Sequence, residues 1–79
     1  MFLEIEIIDK NNFRQIKVLY GKSYTDLINS FSNLVKFYTN NISVVDIKYK
    51  KSDCFKIKDG FCEDLEDVLK KNFSTSPMS

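Results

Sequence analysis

The stretch from Phe2 to Leu27, FLEIEIIDKNNFRQIKVLYGKSYTDL, decides the fold, because it joins two alternating runs to the start of a helix. In the first run, Leu3, Ile5 and Ile7 alternate with glutamates. This period of two predicts a half-buried strand. Residues 9–12, DKNN, follow the strand, and Asp and Asn favour turns because their side chains bond to nearby backbone.

The second run, FRQIKVLY at residues 13–20, predicts the other strand of a hairpin, since only a short polar turn separates the two runs. In this run Ile16, Val18 and Tyr20 share one face of the strand, and Gln15 and Lys17 share the other.

A helix is predicted to begin after Ser23. Serine is a favourable N-cap residue, and Asp26, three positions later, completes a capping-box pattern. Apolar residues then recur at helical spacing over about four turns: Tyr24, Leu27, Ile28, Phe31, Leu34, Val35 and Tyr38. A fold with one sheet must bury such a stripe, so we assign its aromatic residues to the core.

The second half of the chain predicts two more strands and another helix. Residues 44–51, VVDIKYKK, alternate in the manner of a strand that directs inward Val45, Ile47 and Tyr49. Residues 54–58, CFKIK, predict a short fourth strand with Phe55 and Ile57 on one face. The last helix spans about residues 61–72, with acidic first turns and a basic end that match the helix macrodipole.

The predicted order is strand, strand, helix, strand, strand, helix, which is an α+β arrangement. We expect a four-stranded mixed sheet with a helix packed on one face, and the first and third strands parallel in its middle. That layout is a ubiquitin-like β-grasp. Residues 1–73 would form this single domain, and residues 74–79 a flexible C-terminal tail.

Composition argues against catalysis. The 79 residues include no histidine, and the two glycines are isolated, so neither the commonest general base nor a phosphate-binding loop is present. We expect no catalytic residue, cofactor, metal site or small-molecule substrate. Two cysteines are too few for a disulfide scaffold, so Cys54 and Cys62 are predicted to be reduced thiols in an intracellular, cytoplasmic setting, with a disulfide between them as the alternative. No leader or membrane-spanning run is expected.

Several local sequences resemble the Phox and Bem (PB-one) domain family. The early strand pair carries Arg14 and Lys17, the first helix opens with SYTDL, the third strand reads DIKYKKSD, and the second helix opens with CEDLEDVL. The resemblance extends from Phe2 to about Phe73. It implies a ubiquitin-like fold that binds protein by docking the basic face of one domain onto the acidic face of another.

Charges are separated along the chain, although its net charge is only +1. The candidate basic interaction face consists of Arg14, Lys17, Lys48, Lys50, Lys51, Lys56 and Lys58. The candidate acidic interaction face consists of Asp53, Asp59, Glu63, Asp64, Glu66 and Asp67. Such faces would orient a protein partner or a second copy of the chain. The alternative is that these charges serve solubility and the helix dipole.

We therefore predict a non-catalytic protein interaction module. One alternative is a small viral or mobile-element protein that inhibits a host factor by binding it. Another is weak nucleic-acid binding through lysines beside Tyr49 and Phe55, which the inward parity of both rings and the near-neutral charge disfavour. A third option is pairing at an unprotected sheet edge, which would survive high salt.

Overall fold

The computed structural model describes residues 1–41 and 44–73; of Asn41 and Val45 it describes the backbone alone. Its elements are β1 (Phe2–Asp9), β2 (Arg14–Tyr20), α1 (Tyr24–Asn41), β3 (Val44–Ser52) and α2 (Glu63–Phe73). The α+β class is confirmed. The predicted tail at 74–79 and the inward orientation of Val45 lie outside what the structure describes.

The strands form a three-stranded sheet in the order β2-β1-β3, and both pairings are antiparallel. β1 and β3 are neighbours as predicted, but the parallel direction was wrong. Within residues 1–41 and 44–73 there is no mixed four-stranded sheet, so the predicted β-grasp order is not found there. The physical reason is the crossover: a helix joins β2 to β3, so β3 runs parallel to β2 and antiparallel to β1.

Element lengths agree with this crossover. β2 ends beside the start of β1, where Tyr20 pairs with Phe2. The 18 residues of α1 rise about 27 Å, which matches the length of the eight-residue β1. The chain therefore returns to the far end of β1, where Val44 pairs with Asp9.

The core lies between one face of the sheet, here called the inner face, and the two helices. Leu3, Ile5 and Ile7 of β1 are buried there, as their alternation predicted. They belong to one cluster with buried residues of both helices and of the segment between β3 and α2: Leu27, Phe31, Val35, Tyr38, Cys54, Ile57 and Leu65. The predicted core role of the α1 stripe is confirmed for these helix residues.

The hairpin turn sets which face of β2 is buried. The Oδ1 atom of Asp9 accepts hydrogen bonds from the backbone N–H groups of Asn11, at 2.8 Å, and Phe13, at 3.0 Å. Asn12 takes the left-handed conformation with φ 67°, which Asn tolerates. This turn pairs Ile7 with Gln15, so odd-numbered residues of both strands share the inner face.

Ile16, Val18 and Tyr20 share one face, as predicted, but that face points away from the helices. We call it the outer face.

The fourth predicted strand was wrong. Residues 53–60 form consecutive turns, here called the turn segment. The N–H of Ile57 donates to the carbonyl of Cys54, and the N–H of Gly60 donates to that of Ile57, both at 2.9 Å. This spacing of three buries Cys54 and Ile57 together and leaves Phe55 79% exposed. The prediction that Phe55 and Ile57 share one face of a strand is therefore wrong.

Candidate interaction surfaces

The outer face of the sheet carries an uncovered row of apolar side chains. Ile16 is 47% exposed, Val18 40% and Tyr20 74%. We call these three residues the β2 row. In the described part of the chain both helices pack on the inner face, so neither covers the row. An apolar row on an edge strand is a feature of sheets that bind another protein.

Among residues 1–41 and 44–73, no strand pairs with the outer edge of β2, which we call its free edge. Gly21 and Met1 exchange two hydrogen bonds of 3.0 Å, and the N–H of Asp9 donates to the carbonyl of Phe13. Residues of an antiparallel strand alternate between bonding to the neighbour and pointing away from it. Odd-numbered residues of β2 therefore bond to β1. The backbone groups that point away belong to Arg14 and to the β2 row, and the structure describes no strand beside them.

Charges on the outer face are balanced. Arg14 lies 3.4 Å from the carboxylate of Glu6, and Lys48 is the cross-strand partner of Glu6 on the opposite side. Lys51 is the partner of Glu4. The basic residues of this face thus flank the two glutamates of the central strand. Asp46, whose carboxylate lies 3.9 Å from the Nζ atom of Lys48, is a third acidic side chain on this face. Three cations and three carboxylates largely cancel, so this part of the predicted basic face is not a strongly positive surface.

Other predicted basic residues lie elsewhere. Lys17 points to the inner side of β2 and is half-buried. Lys50 is exposed at an irregularity of the β1–β3 pairing, where Glu4 pairs with Lys51 and Ile5 with Tyr49. The structure therefore does not gather Lys17 and Lys50 with Arg14 and Lys48 into one surface.

A third group of charges surrounds the turn segment. Lys56 and Lys58 are exposed there beside Asp59. The Nζ atom of Lys56 lies 4.6 Å from the ring centroid of Tyr24, a cation–π contact. Phe55, Lys56 and Asp59 line an open surface depression of about 240 Å³ together with Gly60, Phe61 and Cys62.

Most of the predicted acidic residues begin α2. Glu63, Asp64 and Asp67 are exposed in its first turns, where their negative charge stabilises the helix dipole. Asp53 lies apart from them, since its Oδ1 atom accepts a 2.8 Å hydrogen bond from the N–H of Phe2. The acidic surface therefore consists of the helix start, with Asp53 fastening the turn segment to β1.

Tyr24 joins the turn segment to the acidic helix start. Its hydroxyl donates to the Oδ2 atom of Asp64 and lies 3.0 Å from the Sγ atom of Cys62. Burial of the hydroxyl, with these hydrogen bonds to Asp64 and Cys62, raises the pKa of Tyr24 well above its usual value. Cys62 and the buried Cys54 are both free thiols, as predicted. The cluster fixes α1 against α2.

The β2 row was not among the predicted interaction residues. The signal was the length of the hairpin turn, which decides whether even- or odd-numbered residues of β2 share a face with Leu3, Ile5 and Ile7. Alternation alone leaves that choice open, because both strands alternate equally well. The exposure of Phe55 does not follow from the sequence pattern, because CFKIK fits the spacing of two of a strand as well as the spacing of three that the chain adopts.

Across residues 1–41 and 44–73, no three cysteine or acidic side chains lie close enough together to hold a metal ion. Neither described helix has the length and apolar character needed to cross a membrane. Comparison of the chain with protein-family models, with curated proteins and with solved structures finds no match. The resemblance to the Phox and Bem domain therefore stays a prediction.

Proposed function

We propose that this chain is a non-catalytic module that binds protein through the β2 row and the free edge of β2. The observation that carries the proposal is the coincidence of two features on one strand. Ile16, Val18 and Tyr20 expose their side chains on the outer face, and their backbone groups point away from the sheet. An added strand would satisfy the backbone and set its own side chains beside the row, which buries the flanks of these apolar residues.

The balanced charges of the outer face support an apolar mode of binding there. With Glu6 set between Arg14 and Lys48, electrostatic steering by this face is weak, and affinity would come from buried apolar area and backbone hydrogen bonds. Docking between the predicted basic and acidic faces stays a second mode, centred on the exposed start of α2. It predicts binding that falls steeply with salt, whereas binding at β2 would not.

A photo-cross-linking amino acid at position 18 tests the proposal in an extract of cells that express the full chain. The matched control carries the same amino acid at Asn29, which is exposed on α1. We expect a covalent adduct of defined mass from position 18 and none from position 29. Equal labelling from both positions, or none from either, would contradict the proposal. Mass spectrometry of the adduct would separate self-association, a cellular partner and an inhibited host factor.

Nucleic-acid binding is a second candidate that one finding favours. Phe55 was expected to face inward, but it is 79% exposed next to Lys56 and Lys58. An exposed ring beside lysines is the arrangement that stacks a base while holding its phosphate. Tyr49 does not join it, because its ring packs against Phe61 and its hydroxyl donates to the carbonyl of Lys58.

Fluorescence anisotropy with a single-stranded oligonucleotide checks this candidate. Loss of binding in Phe55→Ala, with Val18→Thr unaffected, would establish it. Binding that is absent in the wild-type chain at low salt would remove it.

A further inference from the structure

We propose that the partner of β2 is a second copy of this chain, paired antiparallel through β2 with Val18 opposite Val18 of the other copy. The inference rests on the proposed function, since it names the protein that the free edge binds. An antiparallel pair of identical strands is closed by a two-fold axis, so both copies use the same surface. The result is a six-stranded sheet with all four helices on one face.

Backbone geometry restricts the possible registers. Only Arg14, Ile16, Val18 and Tyr20 point their N–H and carbonyl groups out of the sheet. A second β2 must therefore set even-numbered residues opposite even-numbered residues. With Val18 at the two-fold axis, Val18 of one copy pairs with Val18 of the other. On one side of the axis Ile16 pairs with Tyr20 of the other copy, and on the other side Tyr20 pairs with Ile16. Each of these three pairs exchanges two backbone hydrogen bonds.

Side chains select the register centred on Val18. Within residues 16–20 it makes every outer-face pair apolar and sets a β-branched residue, Ile16, against an aromatic one, Tyr20, which is a favourable cross-strand combination. Arg14 would face Lys22, which lies beyond the end of β2. On the inner side it places Lys17 opposite Leu19. The neighbouring register, centred on Lys17, would set two ammonium groups directly opposite each other, which is unfavourable.

No irregularity in the ladder between β1 and β2 would prevent another strand from pairing with this edge. Their pairing runs without a bulge from Phe2–Tyr20 to Ile8–Arg14, whereas the β1–β3 pairing has two register shifts. β2 contains no proline. Its one protective feature is the inward-pointing Lys17, and the register centred on Val18 accommodates it. Arg14, at the end of the strand, is already held by Glu6 at 3.4 Å.

Single cysteine substitutions test the register in the full chain. In the proposed dimer the two copies of residue 18 have Cα atoms about 5.5 Å apart, which a disulfide spans. The two copies of residue 17 are offset by about 7 Å along the strand, and those of residue 16 by about 14 Å, both too far. Under mild oxidation, Val18→Cys should form a covalent dimer, and Lys17→Cys, Ile16→Cys and the wild-type chain should not. Cross-linking that is strongest at position 16 or 17 would overturn the register.

The mass of the wild-type chain tests the dimer itself. Light scattering should report a dimer at high protein concentration, both at low salt and in about 1 M NaCl. Val18→Pro should weaken dimerisation by about 30-fold, because it removes one outward N–H donor from each copy and no bond to β1. Val18→Thr keeps that donor and should retain a dimer.

A monomer at every concentration would overturn the inference. So would a dimer that high salt dissociates and that reversing the charge of Glu63 and Asp64 abolishes. A monomer whose position 18 still cross-links another protein would leave the proposed function standing, so the two failures are distinguishable.

Discussion

At the start of α1, two side chains satisfy backbone groups that the helix leaves unpaired. The Oγ atom of Ser23 accepts a hydrogen bond from the N–H of Asp26 at 3.2 Å, and the Oδ2 atom of Asp26 accepts one from the N–H of Lys22 at 3.1 Å. This is the predicted capping arrangement, except that the carboxylate bonds one residue before the N-cap.

Ser23→Ala should therefore destabilise the chain by about 1 kcal/mol, since it removes the acceptor at the N-cap. Urea unfolding followed by circular dichroism measures the loss. The matched control is Ser23→Asn, which supplies another side-chain oxygen and should stay within about 0.5 kcal/mol of the wild type. Equal destabilisation by both substitutions would show that the cap does not hold α1.

Tyr24 gives the chain a pH dependence in the alkaline range. Because its pKa is raised in the folded state, the folded chain keeps a proton that the unfolded chain loses near pH 10. Its stabilising contribution is fully present below that pH and is lost as the pH rises. The free energy of unfolding should therefore fall more between about pH 9 and pH 11 in the wild type than in Tyr24→Phe. Parallel curves from urea titrations would contradict this.

At the scale of elements, the periodicity of apolar residues predicts which segments form strands and helices. β1, α1 and α2 were predicted because Leu3, Leu27 and Leu65 each belong to a periodic apolar stripe that one face of the element buries. Local patterns do not predict the direction of β3, because that direction follows from the length of α1 and from where β2 ends. They do not predict the exposure of Val18 either, because that exposure follows from the turn at Asp9.

The turn segment was mispredicted because CFKIK fits both a strand and a series of turns. Local hydrogen bonds favour turns: the Oγ atom of Ser52 donates to the carbonyl of Phe2 at 2.7 Å and accepts from the N–H of Cys54 at 3.1 Å. Gly60 then closes the segment with φ 140°, a conformation that glycine adopts without strain.

Two alanine substitutions distinguish the turn segment from a strand. Ile57 is fully buried, so Ile57→Ala should cost about 3 kcal/mol of unfolding free energy. Phe55 is largely exposed, so Phe55→Ala should stay within about 0.5 kcal/mol of the wild type. A strand that buried both on one face would make both substitutions costly, and chemical denaturation would show it.

At the scale of the whole molecule, the separation of charge along the sequence does not become a separation in space on the outer face. Arg14, Lys48 and Lys51 lie around Glu4 and Glu6 of the central strand. What the outer face exposes instead is the β2 row beside a free edge. The central claim of this account is that β2 binds a second copy of the chain through this edge.

Residue-resolved amide hydrogen exchange tests that claim most directly, measured by NMR at low and at high protein concentration. The N–H groups of Gln15, Lys17 and Leu19 bond to β1 and should be protected at both concentrations. Those of the β2 row, Ile16, Val18 and Tyr20, should exchange fast in dilute solution and become protected in concentrated solution. If they exchange fast at every concentration while odd-numbered residues stay protected, β2 does not bind a second copy.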